Sequence, residues 1–272
     1  MTHLSPIGAV IAMEVELQHL LDQGQIIEER KHGPWREVEL TIGPNRIIAL
    51  LCGIGMVNAA AATEYLINAY QPRIIVNSGC TGAHIAELLP GDVVIGTAVV
   101  YHAAMQILTT GEERYTGFSF ETITREVKSP ALMTDAKLVD IAQRVAKSAH
   151  IPDWPAHLDW PPSQPRRAPR IVSGPVASAD IWTQQISRIE VLHKRHETLC
   201  EDMEAAAIGQ IAARHEIPYL TIKDISNNER YAQTDLVGEL AGFPMEEAGH
   251  RAAVLLGQVI AAIPAEFDDR AR

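Results

Sequence analysis

Four places in this 272-residue chain set polar or glycine-rich sequence where chemistry could sit. Met13-Glu14-Val15-Glu16 follows the apolar run Ile7–Ala12, so carboxylates come directly after a strand-like segment. Gly53-Ile54-Gly55 and Gly79-Cys80-Thr81-Gly82 are tight turns whose backbone N–H groups can approach an anion or a sugar closely. The last place combines Glu201-Asp202-Met203-Glu204, opening a helical stretch, with Lys223-Asp224-Ile225-Ser226-Asn227, ending an apolar one. Carboxylates so placed can move a proton or stabilise positive charge. They could equally do no more than favour a helix N-terminus. A Lys–Asp pair and an Asn closing an apolar strand are harder to assign to packing, because buried polar groups cost free energy unless partnered.

Two other chemistries fail on their own motifs. A dinucleotide fingerprint starting at Gly53 needs a third glycine where the chain has Asn58. Cys80 as a nucleophile has only His84 nearby in sequence, and no partner set can be assembled for it.

The elements that must position these residues alternate apolar runs with helical patterns, the signature of a mainly parallel sheet with helices around it. Ile7–Ala12, Arg73–Asn77, Asp92–Val99, Ile171–Val176 and Tyr219–Ile225 read as strands, and Val38–Thr41 with Arg46–Leu51 as a hairpin about Gly43-Pro44-Asn45. Val57–Ala69, Ala136–Ala149, Trp182–His196 and Ala205–His215 read as helical. A final amphipathic helix carries Ala248, Ala252, Leu255, Val259 and Ile263 on one face. From about 109 to 170 the pattern degrades, and Pro152–Pro169 holds six prolines and two tryptophans in eighteen residues. That stretch reads as an irregular excursion on one compact domain, either a lid, a subunit contact or a plain solvated connection. Strand ends are where open α/β sheets hold ligands, and the four polar segments fall there.

Composition removes several function classes. The formal charge is −11 with no dense basic cluster, which excludes non-specific nucleic-acid or anionic-membrane binding. Arg166, Arg167 and Arg170, the nearest approach to a cluster, read as a solvated loop. Three cysteines without a CxxC pair give neither a disulfide framework nor a structural zinc site, and no metal or other cofactor is called for. No apolar run approaches about 20 residues, so no membrane span is expected. Ile7–Met13 lacks a basic flank and runs into Glu14, so it reads as a strand, not a signal peptide, and the default compartment is the cytoplasm.

Taken in order, these segments resemble the purine nucleoside phosphorylase/uridine phosphorylase superfamily. Within it, they are most similar to the hydrolytic branch of 5′-methylthioadenosine/S-adenosylhomocysteine nucleosidases and futalosine hydrolases. The matching pieces are Ala12–Glu16, Gly53–Gly55, Asn77–Gly82, Tyr101-His102, Ser178–Ile181, Asp202–Ala205 and Ile225–Asn227. The resemblance implies a single α/β domain over 1–272, with a mixed, partly barrel-like central sheet surrounded by helices and the 109–170 insertion as decoration. It implies that Glu16, beside Met13, activates the attacking water. Glu204 would hold the ribose hydroxyls, with Met203 against the sugar. Cys80, Thr81 and Gly82 would lie beside the purine, Asp180 and Ile181 would line the base pocket, and Tyr101-His102 would lie near a partner subunit's site. A homodimer acting on a small purine nucleoside and water follows from the same resemblance.

Cleaving an N-glycosidic bond leaves positive charge on the sugar and negative charge on the departing purine, so a carboxylate near the first and a hydrogen-bond donor at N7 are both required. The chain departs from the nucleosidases at three places: Asn227 stands in place of the Asp at their purine position, Lys223 in place of Arg, and Asp202 in place of Glu. An amide can donate to N7 but cannot deliver a proton, which on Asn227 alone predicts 6-oxopurines served at least as well as adenines. Phosphorolysis in the same pocket is the first alternative; the related phosphorylases use arginines after the first strand and before the Gly-Ser-type turn, where this chain offers Met13–Leu17 and Asn77 with no arginine at either. A non-catalytic nucleoside-binding relative is the second, opposed by retention of both Glu16 and Glu204.

Overall fold

A computed structural model of the chain describes residues 5–231 and 245–267. Along the chain run β1 (Ile7–Ile11), α1 (Glu14–Leu21), β2 (Gln25–His32), β3 (Trp35–Ile42), β4 (Asn45–Leu51), α2 (Met56–Tyr70), β5 (Ile74–Ala83) and β6 (Val93–Tyr101). The middle holds β7 (Met105–Ile107), β8 (Glu113–Tyr115), β9 (Phe118–Glu121), β10 (Glu126–Ser129), β11 (Leu132–Met133) and α3 (Ala136–Ala146). The remainder is β12 (Ile171–Ser178), α4 (Ile186–His196), β13 (Cys200–Asp202), α5 (Ala205–Arg214), β14 (Tyr219–Asn227) and α6 (His250–Ala262).

β5 is the pivot of the sheet. Its first half lies between β1 and β14, both parallel to it, and its last residues pair with antiparallel β13. β14 continues to β6, β6 to β12 and β12 back to β13. These five strands therefore close a small barrel, and β1-β4-β3-β2 runs off β5 as an open wing. Closure removes free edges on that side, whereas the wing ends on β2, whose run Glu28-Glu29-Arg30-Lys31 is exposed and charged as an edge strand tolerates. That polar content carries no apolar alternation, so β2 was not expected from the sequence. The mixed, partly closed sheet was.

Side chains alternate across β1. Ile7, Ala9 and Ile11 join a core with α1, α3 and α6, whereas Val10 joins a second core with α2 and α5. The predicted face of α6 is buried along its length, from Ala252 to Ile263. α4 starts at Ile186 rather than near Trp182; Trp182 and Thr183 line the cavity instead, and Gln185, the residue before the helix, is extended.

The stretch 109–170 holds more order than its composition suggested. β7–β8 and β9–β10 are antiparallel two-stranded sheets, too short to show a period in sequence. The proline-rich part has no regular element but is firmly tied. The Arg251 guanidinium lies 4.9 Å over the Trp154 ring and donates to the Pro152 and Asp153 carbonyls. Arg167, expected to be solvated, forks onto the buried Asp92 carboxylate at 2.6 and 2.5 Å. Among the described residues no helix is long and apolar enough to cross a membrane, and no group of three His, Cys, Asp or Glu could hold a metal ion.

Candidate active site

The ends of β1, β5, β13 and β14 meet at one cavity of about 690 Å³, mouth included. Glu16 enters it from the first turn of α1, directly after β1. Its carboxylate accepts from the Met13 N–H at 3.2 Å and the Cys80 N–H at 2.8 Å. The approach to β5 is possible because residue 79 is glycine: a Cβ there would lie 2.7 Å from Glu16 Oε1. Burial raises the Glu16 carboxyl above its ordinary value, with Lys223 and the Cys80 and Met13 amides pulling partly against it.

Glu204 stands at the start of α5. It accepts from the Gly55 N–H at 2.8 Å, at a backbone φ of +106° that favours glycine. Burial, reinforced by the Asp202 carboxylate, pushes Glu204 up to about 8. Asp202 itself caps α5 through the Ala205 N–H and holds Lys223 Nζ at 2.6 Å, a pair almost wholly buried. Burial works against the Lys223 ammonium, but Asp202, Glu204 and Glu16 outweigh it and hold Lys223 above its usual range. Lys223 does not line the cavity; its charge acts on the two catalytic candidates from beneath.

The opposite wall is built from side chains that hold one another. β14 shifts register between Ile225 and Asn227, so that Ser226 and Asn227 both reach the cavity. Ser226 Oγ donates to Asn227 Oδ1 at 2.8 Å, and Asn227 Nδ2 donates to Glu229 Oε1 at 2.8 Å. Across Gly82, which pairs with both Asn227 and Glu201, the Glu201 carboxylate accepts from the Thr183 N–H and hydroxyl. His84 and His102 bring Nε2 to 3.6 and 3.3 Å from Glu201 Oε2, and together they draw its carboxyl below the ordinary value despite burial.

Met13, Glu16, Cys80, Thr81, Gly82, Ile181, Asp202, Met203, Glu204 and Asn227 therefore line one cavity, as the sequence grouped them. Asp180 does not: its carboxylate accepts from the Met56 N–H at 2.7 Å, at the start of α2. Asp224, three residues before Asn227 on the same strand, turns away to accept from the Gly249 and Arg251 N–H groups at the start of α6. The Cys80 thiol is pushed well above its usual range by burial and the Glu16 charge, which deprives it of thiolate character.

A sequence model of the phosphorylase superfamily matches residues 6–261. The chain belongs to the phosphorylase superfamily. Among curated relatives, it is 28% identical over 262 residues to the 5′-methylthioadenosine/S-adenosylhomocysteine nucleosidase of Halalkalibacterium halodurans, covering 96% of this chain and 98% of the relative. The nucleosidase of Neisseria meningitidis in complex with methylthio-immucillin-A shares the fold at a TM-score of 0.73 and 22% identity, covering 96% of this chain and 100% of that one. Futalosine hydrolase of Helicobacter pylori does so at 0.74 and 20%, covering 97% and 100%.

Within this superfamily member, six polar or aromatic cavity residues had no role assigned in the sequence: His84, Trp182, Thr183, Glu201, Ser226 and Glu229. Trp182 and Thr183 directly follow the matching Ser178–Ile181 piece, and Glu201 directly precedes Asp202, so extending each motif by a residue or two would have found them. Glu229 lies two residues past Asn227 and needed the turn geometry to be seen.

Proposed function

We propose that this protein hydrolyses the N-glycosidic bond of purine nucleosides of the methylthioadenosine, adenosylhomocysteine or futalosine type, releasing free base and sugar. One observation carries the choice of water over phosphate. Among its described residues, the cavity is lined by five carboxylate side chains (Glu16, Glu201, Asp202, Glu204 and Glu229) and by neither lysine nor arginine. A phosphate dianion would be desolvated there with no lining lysine or arginine to pair with and against like charge. Water has no such cost.

The division of labour follows from the geometry. Glu16, raised by burial and held by two backbone amides, accepts a proton from water as it attacks. Glu204, raised to about 8 by burial, passes its proton to solvent as its carboxylate comes to accept from the ribose hydroxyls, and the charge so formed stabilises the sugar as it becomes cationic. Asn227 offers an N–H to the purine as it leaves with negative charge. The names of the curated relatives support the substrate class. A homodimer in the cytoplasm completes the reading: Ile54, Val57 and Ile181 are exposed apolar side chains beside the cavity mouth, and the three free cysteines suit a reducing compartment.

The test is base release from methylthioadenosine, adenosylhomocysteine, adenosine, inosine and futalosine, with and without phosphate. Equal rates in both buffers are expected. A sugar 1-phosphate accumulating in phosphate buffer would make the protein a phosphorylase, and binding without base release would make it a non-catalytic relative.

A further inference from the structure

We infer that the proline-rich stretch 152–169 is a strap for the reaction end of the cavity: through Trp154 and Arg251 it holds the start of α6 against Glu16. Both are then positioning residues for that carboxylate, whose task is the one given by the nucleosidase reading above, on which this rests. Glu16 is enclosed on two sides. Its carboxylate lies against Gly79 of β5, and its stem against Gly249, the residue before α6. A Cβ at 249 would stand 2.8 Å from Glu16 Cγ and 3.3 Å from the Cα of Gly79, and the backbone there has a φ of +74°. Both conditions call for glycine. Main chain thus backs the side chain that must meet water.

Gly249 is itself held from two directions. From β14, the buried Asp224 carboxylate accepts from the Gly249 N–H at 3.0 Å and from the Arg251 N–H at 2.9 Å. From the strap comes a grip on the Arg251 side chain, which is fully buried. It donates to the Pro152 and Asp153 carbonyls at 3.0 and 2.8 Å and to Glu247 Oε2 at 2.7 Å. Its guanidinium covers the buried Trp154 ring, a contact that gains strength where water is excluded. Arg251 therefore joins the strap, by its side chain, to the turn that abuts Glu16, by its main chain. Residue 91 leaves room for the pair: a Cβ there would meet Arg251 Nε at 3.2 Å and the Trp154 ring at 3.4 Å. No residue of 152–169 lines the cavity, so the strap can reach the reaction only through α6. The same stretch holds a second pair, Arg166 over Trp160 at 5.4 Å. Its hydrogen bonds end on Gln164, Pro155 and Leu158, inside the strap, which makes it an internal control.

The experiment compares Trp154→Leu, which keeps apolar volume but removes the π face under Arg251, with Trp154→Phe, which keeps a ring there. Misplacing a reacting group by about 1 Å can cost about a hundredfold, so Trp154→Leu should lower kcat by about tenfold to a hundredfold with KM within about twofold. Trp154→Phe should recover most of that loss, and Trp160→Leu should turn over as wild type does. Gly249→Ala, which presses on Glu16 directly, should lose at least as much as Trp154→Leu. In a Glu16→Gln background, Trp154→Leu should lower kcat no further, because the group it positions is gone. Amide hydrogen exchange gives a readout without turnover. The Cys80 N–H, which donates to Glu16, should exchange about tenfold faster in Trp154→Leu, while the Gly55 N–H, which donates to Glu204, keeps its wild-type rate. If no nucleoside releases base, the nucleosidase reading fails, and the two amides still decide the strap. Losses that multiply in the double variant, a Trp160→Leu loss equal to that of Trp154→Leu, or exchange raised equally at both amides overturns the inference.

Discussion

The two ends of the cavity are held in different ways. At the Glu16–Glu204 end, each carboxylate is fixed by main-chain N–H groups, from Met13, Cys80 and Gly55, so its position is a property of the fold. At the Asn227 end, side chains hold side chains: Ser226 to Asn227 and Asn227 to Glu229. Moving a main-chain donor means rebuilding a strand or a helix start. Moving a side-chain donor takes one substitution. Reaction chemistry is therefore lodged in the part of the molecule that resists change, and base choice in the part that accepts it.

The strongest test of that contrast is the ion pair beneath the first end. Lys223→Met leaves the Asp202 carboxylate buried at the start of α5 without its cation, a situation that costs about 3–5 kcal/mol. Urea unfolding should show a loss of that size. A loss below about 1 kcal/mol would mean the pair can be replaced by packing.

Next in size are the two carboxylates themselves. Glu16→Gln and Glu204→Gln should each lower kcat by on the order of a hundredfold or more, since each removes a proton acceptor or the charge that faces the sugar. Both are isosteric and should remain folded by circular dichroism. A Glu16→Gln protein turning over at nearly the wild-type rate would reduce Glu16 to a helix-terminal charge.

How far the site could be read from sequence follows the same division. Glu16 and Glu204 stood out as carboxylates just past an apolar run and at the opening of a helical stretch, where a helix N-terminus would explain them equally well, and it was the resemblance that gave them roles. Asn227 was legible because an amide closing an apolar strand is hard to assign to packing. Glu229 was not, since its place depends on the register shift in β14 and on the bond from Asn228 to the Ile85 carbonyl, neither of which leaves a mark in composition. The fold class was legible in the alternation of β1, β5, β6, β12 and β14 with helices. The closure of the barrel was implied by resemblance alone, because it rests on β13, three residues long, pairing with both β5 and β12. Arg167 shows the limit in the other direction: a basic residue among prolines has the composition of a loop and the position of a clamp on the buried Asp92.

A smaller effect lies in the pH dependence of stability. Glu204 sits at about 8 and Asp224 at about 7, both raised chiefly by burial. In the unfolded chain both carboxyls have lost their protons well below pH 7, so over this range the folded protein binds more protons than the unfolded one. Stability must then fall as pH rises through 7 to 9. Glu204 alone accounts for about 1 kcal/mol between those limits, or roughly 2–4 °C in Tm. Differential scanning calorimetry should show that slope in wild type and a flatter one in Glu204→Gln. An identical slope in both would place the titration elsewhere.

The smallest expected effect decides to which end Asp180 belongs. The resemblance implied that it lines the base pocket, whereas the structure turns its carboxylate to the Met56 N–H at the first turn of α2. That helix begins at Gly55, which has no side chain to cap it, and its first turn holds no acidic residue. Asp180 supplies the missing acceptor from across the fold, next to the Gly55 N–H that holds Glu204. Because Asp180 is exposed, its loss should cost only about 0.5–1 kcal/mol, the range of a cap or a helix-terminal charge in water. Asp180→Ala should therefore lower Tm slightly and lower kcat a few-fold through a looser Glu204. It should leave the ratio of 6-amino to 6-oxo substrates where wild type has it, because no residue of the Ser226–Asn227–Glu229 wall touches it. A shifted ratio would return Asp180 to the base wall and break the separation between a main-chain-held reaction end and a side-chain-held recognition end.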